Sequence, residues 1–219
     1  MTNISEPQTP IYAVITGDIV GSTKLSVAAL THVRVTVGET IRSFASRNPE
    51  VVSNRPEFFS GDSWQVLLKE PRAALRLALL VQARLVAVSD VETRAAIGIG
   101  SVARLEKNLA TSTGEAFTLS GRALEAITNS FRLTGALPAR SVILARWFPA
   151  ILHMCSGLMS GWTRRQAEVV GLWLSLPNPT HEHDVGPSPR RPKCAKHFSV
   201  PGNLSFGFTP LQIVEYRKR

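Results

Sequence analysis

Two aspartates stand where the chain changes direction. Asp18 lies in YAVITGDIVGSTKL (residues 12–25), where a β-rich run gives way to a helix start, and Asp62 lies in FFSGDSWQVLL (residues 58–68), beside a Ser-Gly break between two extended runs. Carboxylates at adjoining strand ends repel one another unless a proton or a cation intervenes. A hard cation such as Mg²⁺ or Mn²⁺ would neutralise them and share its remaining positions with the phosphate oxygens of a nucleotide. On that reading Asp18 and Asp62 hold metal, and the amides after Asp18 face the phosphates. A plainer reading fits the same residues: Asp and Gly shape turns, and Ser22 or Thr23 can cap the helix that follows.

The elements that must position these groups alternate. A strand near residues 11–17 precedes a helix in which Leu30, Val33, Val37, Ile41 and Phe44 recur at helical spacing. Extended segments near 51–59 and 63–69 flank SGD, a hairpin signal. PRAALRLALLVQARLVAV reads as a largely buried helix with Pro71 in its first turn, TRAAIGIGSV as a strand, and Ser120 as the start of a helix carrying Leu124, Ile127 and Phe131 inward. The order β-α-β-β-α-β is that of a ferredoxin-like α/β (α+β) sandwich.

Composition narrows the class of protein. The chain has 219 residues, 44% hydrophobic and 19% charged, which suits one substantial core with a small appendage. The formal charge of +9 fits an anionic partner without choosing one. We expect no membrane-crossing run, because no apolar stretch reads as long enough and MTNISEPQTP lacks a signal-peptide core. Cys155 and Cys194 are too few for a disulfide framework, so a cytoplasmic location is the expectation. His32 and His153 read as ordinary helix residues.

Residues 10–145 resemble the class III nucleotide cyclase catalytic domain. GDIVGSTKL is similar to that family's first metal motif, SGDSWQVLL to its second, RAAIGIGSV to its central strand, and GEAFTLSGRALE to the segment that serves the transition state. The resemblance implies that Asp18 and Asp62 ligate Mg²⁺ or Mn²⁺, that Gly21, Ser22 and Thr23 border the phosphates of a nucleoside triphosphate, and that Arg122 stabilises phosphoryl charge. It also implies a homodimer, because such sites take the carboxylates from one subunit and the Arg segment from the other. Two positions depart from the family. Thr118 stands four residues before Arg122, where an active cyclase usually has Asn, and its hydroxyl lacks the amide's reach. Phe58 stands in the base pocket where adenine-selective members usually have Lys; Arg55 is the nearest cation that could substitute.

The C-terminal part adds a second pattern. In WTRRQAEVVGLWLSLPNPTHEH, Thr163 and Gln166 have capping-box spacing, Ala167, Val170 and Leu174 share a helical side, and NPT could open a second helix. Such a helix-turn-helix would bring Arg164 and Arg165 to duplex DNA. A cyclase-like front with this tail resembles the SatD-like family, bacterial proteins with a regulatory role. The expected division is a tail over 1–9, the cyclase-like domain over 10–150, a partial helix-turn-helix over 151–180 and a poorly ordered basic tail over 181–219. The pattern breaks off after Thr180, as a frame change or a diverged end would make it do; residues 181–219 hold five Pro and three Gly and no apolar period. His181, His183, Cys194 and His197 are zinc-ligand types without finger spacing. The leading expectation is therefore a nucleotide- or metal-responsive regulator that contacts DNA, with an active nucleotide cyclase as the alternative.

Overall fold

The computed structural model describes residues 10–53 and 56–176, all within one compact unit. β1 (Tyr12–Ile19) lies at the centre of a five-stranded sheet. It pairs antiparallel with β3 (Ser63–Leu68) on one side and with β4 (Thr93–Gly100) on the other. β2 (Glu57–Phe59) pairs antiparallel with β3, and β5 (Leu133–Ala136) runs parallel to β4, giving the order β2-β3-β1-β4-β5. The first four strands have the ferredoxin-like arrangement that the order of elements implies, with two crossover units interleaved so that each spans a strand of the other.

Strand alternation divides the chemistry between the two faces. Ala13, Ile15, Ile19, Trp64, Val66, Leu68, Ala95 and Ile97 join the core under α1 (Val27–Arg47) and α2 (Ala74–Ser89). Val33, Val37, Ile41 and Phe44 are the buried stripe of α1, as their spacing requires, and α2 is buried over most of its length. On the opposite face Val14 and Leu67 pack with Leu109 and Ala116. There α3 (Glu115–Ala126) crosses β4, and Gly98 lets the two backbones meet, since a Cβ at that position would lie 2.3 Å from the Ala116 carbonyl oxygen.

Several local expectations need correction. α3 starts at Glu115, after Gly114, and not at Ser120. Ser120 is wholly buried in mid-helix, where its hydroxyl meets that of Thr16 at 2.9 Å. Neither Ser22 nor Thr23 caps α1: Gly21 adopts φ 68°, a short 3₁₀ turn over Ser22–Lys24 intervenes, and Ser26 receives the Ala29 amide. Among the described residues of the run expected over 51–59, Glu57–Phe59 form a strand and Val52 forms a single bridge to Leu68.

Among the described residues, two further helices follow β5. α4 (Val142–Met159) packs Leu152 and Met159 into the core. It also overturns the expectation of no apolar run long enough to cross a bilayer, for its 18 residues have mean hydropathy 1.4 and are only 17% buried. α5 (Arg164–Ser175) lies against α2. Its capping box forms as its sequence requires: the Gln166 amide donates to the Thr163 hydroxyl, and the Thr163 amide donates to the Gln166 side chain. Thr163→Ala should therefore lower stability by about 1 kcal/mol, measured as a reduced urea midpoint. The NPT segment, the basic tail, Arg55 and the zinc-type residues His181, His183, Cys194 and His197 fall outside the described residues.

Candidate functional site

The end of β1 and the hairpin between β2 and β3 bring the two aspartates to one cavity. Ser60 and Gly61 turn the hairpin at φ 49° and 84°, and the Ile19 amide donates to the Asp62 carbonyl at 3.2 Å, tying the turn to the end of β1. A cavity of about 380 Å³ is lined by Asp18, Asp62, Gly21, Ser22 and Thr23, together with Arg94, Asn129 and Arg132. The residues named for metal and phosphate contact are thus neighbours in space.

Both carboxylates already have partners. Arg94 stands opposite Asp18 in the β1–β4 register, on the same face of the sheet. Its Nε donates to Asp18 Oδ1 at 2.9 Å and its second nitrogen to Oδ2 at 2.5 Å, a bidentate charge-assisted pair. The hydrogen bond to Asp18 raises the Arg94 pKa above its ordinary value against the opposing effect of burial, and the Asp18 and Asp62 charges add to that rise. Ser22 Oγ donates to Asp62 Oδ2 at 2.6 Å. A second pair closes the rim, with Arg132 Nε 2.8 Å from Glu92 Oε2. Trp64 and Thr93 brace the strand end beneath: Trp64 Nε1 donates to the Thr93 hydroxyl, which donates to the Asp18 carbonyl at 2.6 Å.

Arg94 and Arg132 are the residues that sequence reasoning passed over. Arg94 sits in TRAAIGIGSV, where an Arg among apolar residues reads as a solvent-facing position of a strand; only the antiparallel register with β1 sets it against Asp18.

Other expected site residues lie elsewhere. Thr118 and Arg122 are exposed on the outward side of α3, because Ala116 and Ser120 take the side facing the sheet; neither lines the Asp18 cavity. The Thr118 hydroxyl donates to the Gly114 carbonyl. Phe58 packs toward α1, with the Arg34 guanidinium 5.1 Å from its ring, and it lines a separate cavity with Gly38 and Arg42. Arg164 and Arg165 are exposed in the first turn of α5. His153 stacks on Phe131 and bonds the Thr134 hydroxyl at 3.0 Å, a structural role in keeping with its reading as an ordinary helix residue.

The donor set bears on the kind of metal. Among the described residues no group of three or more His, Cys, Asp or Glu could hold an ion. Two carboxylates lining one cavity of about 380 Å³ fit a Mg²⁺ or Mn²⁺ ion whose other positions would be filled by ligand or water oxygens, and they do not fit an all-protein cage.

No protein-family model matches the chain, and no curated protein matches it. Among solved structures it is similar to a bacterial light-regulated adenylyl cyclase, at 17% identity and TM-score 0.40 over 61% of this chain and 45% of that one. It is similar to adenylate cyclases from Trypanosoma brucei in their monomeric state at 18% identity and TM-score 0.41, over 61% and 77%. The active GGEEF domain of a diguanylate cyclase from Vibrio cholerae aligns at 14% identity and TM-score 0.35, over 52% and 74%. The chain spans less than half the length of the first of these. The chemistry of the site rests on its own residues.

Proposed function

We propose that this chain is a nucleotide-responsive regulatory protein that takes a nucleoside triphosphate together with Mg²⁺ or Mn²⁺ at the Asp18–Asp62 site. The observation that carries the proposal is the bidentate Arg94–Asp18 pair, held in one cavity with Asp62 and the Gly21–Thr23 turn. A metal-bound triphosphate needs both a cation for its phosphate and carboxylates for its metal, and here these groups neutralise each other. Arg94 would turn from carboxylate to phosphate, and Asp18, released, would join Asp62 as a metal ligand. The cation, when bound by Asp18 and Asp62, would neutralise phosphate charge. The exchange conserves charge pairs while reorganising the end of β1, so ligand binding has a structural consequence to transmit. The exposed Arg164 and Arg165 extend the proposal to duplex DNA, whose binding would fall as salt rises.

Turnover is the second reading. One observation favours it: Thr118 and Arg122 share an outward stripe of α3, so a second chain could lend them to the Asp18 site in a homodimer. Titration calorimetry with ATP, GTP, CTP and UTP, each with and without Mn²⁺, tests the first reading; we expect binding at least about 10-fold tighter with metal, or about 1.4 kcal/mol. Mass spectrometry of the same mixtures tests the second. A cyclic product lost in both Asp18→Asn and Arg122→Ala would make the chain a cyclase. Binding indifferent to metal and to both aspartates would leave GDIVGST as a turn and nothing more.

A further inference from the structure

We propose that α4 is a dimerisation helix, and that its exposed apolar stripe is covered by the same stripe of a second copy of this chain. Leu144, Trp147, Ile151, Met154 and Leu158 follow one another at spacings of three, four, three and four residues, the seam of a helix that packs along another helix. These five and Ile143 are between 49% and 75% exposed. Six large side chains at those exposures present roughly 800 Å², the share that one partner contributes to an interface of standard size. A single chain that left this area in water would carry an apolar patch larger than soluble monomers commonly show.

Packing and sequence narrow the occupant to a second copy. The neighbouring side of the helix is committed to its own chain: Leu152 and Met159 are in the core, the Ser156 hydroxyl accepts the Arg132 amide at 2.5 Å, and His153 bonds Thr134. Moving α4 into a bilayer would pull these groups from their partners. Residues 181–219 of the same chain offer no apolar period to match the stripe. The stripe itself does offer one: it is centred on Ile151, so a two-fold axis there sets it against its own reverse. None of its residues lines the Asp18 cavity, so this contact leaves the nucleotide site open and does not depend on what that site binds.

Light scattering on the full chain at micromolar concentration should give a dimer. Trp147→Glu with Met154→Glu should raise the dimer dissociation constant at least about 100-fold. Far-UV circular dichroism of that variant should be unchanged, because both side chains are exposed. A monomeric wild type overturns the proposal, and binding of that monomer to phosphatidylserine vesicles would assign the stripe to lipid. A dimer that survives the double substitution overturns it as well. Should the double variant misfold, Ile151→Cys decides. Under mild oxidation it should form a disulfide-linked dimer in excess over the wild type, which keeps Cys155 and Cys194, and no excess counts against an interface on α4.

Discussion

Arg94→Ala should tighten the binding of free Mn²⁺ and loosen the binding of nucleoside triphosphate, two changes of opposite sign from one substitution. Arg94 holds both oxygens of Asp18 and lies close enough to Asp62 for that charge to act on it. An ion approaching the wild-type site must displace a bidentate guanidinium before it gains a carboxylate. Removing the guanidinium leaves Asp18 without its partner, so the affinity for Mn²⁺ alone should rise about 10-fold. The triphosphate loses its nearest cation at the same time, and its affinity in the presence of Mn²⁺ should fall by at least a similar factor. Asp18→Asn should act differently. It removes a metal ligand and releases Arg94, so metal-free nucleotide should bind at least as well as to the wild type, while the gain from metal disappears. Titration calorimetry of the three proteins with Mn²⁺, with ATP and with both separates these outcomes. If Arg94→Ala weakens metal and nucleotide alike, the pair is a brace for the end of β1 and the exchange of partners does not occur.

How far the site was legible follows from the range over which each residue acts. Asp18 and Asp62 announce themselves locally, through a strand end and a hairpin turn, and the order of elements sets those two loops side by side. Arg94 is invisible at that range. Its partner is 76 residues away, and a slip of one residue in the β1–β4 register would put the two side chains on opposite faces of the sheet. Thr118 and Arg122 share a helix side, as a separation of four residues requires, but spacing does not say which side the sheet takes. That is decided by the small residues Ala116 and Ser120, which fit against Gly98. The apolar character of α4 was hidden for another reason. Arg146, Pro149 and His153 interrupt VILARWFPAILHMCSGLM as text, although they lie away from the Leu144–Leu158 stripe once the segment is helical.

Gly98→Ala, in β4, and Gly121→Ala, in α3, make the same chemical change, and they should move stability in opposite directions. A Cβ at Gly98 would lie 2.3 Å from the Ala116 carbonyl oxygen and 2.4 Å from the Ser120 amide nitrogen. Both are backbone atoms of α3, so no rotamer change relieves the contact and the helix must rise off β4. The lost packing includes the buried Thr16–Ser120 hydrogen bond, and the expected loss is about 3 kcal/mol, at the upper end for an overpacked site. At Gly121 an added Cβ meets nothing within 4 Å. There the substitution only removes a flexible residue from a helix interior and should raise stability by about 0.5–1 kcal/mol. Urea denaturation measures both. Equal stability of Gly98→Ala and the wild type would mean that α3 does not seat on β4 this closely. The same variant also bears on function, because α3 carries Thr118 and Arg122 but contributes nothing to the lining of the Asp18 cavity. A nucleotide sensor should keep its metal-dependent binding when α3 shifts, provided the protein remains folded, whereas a cyclase that relies on those two residues should lose its product.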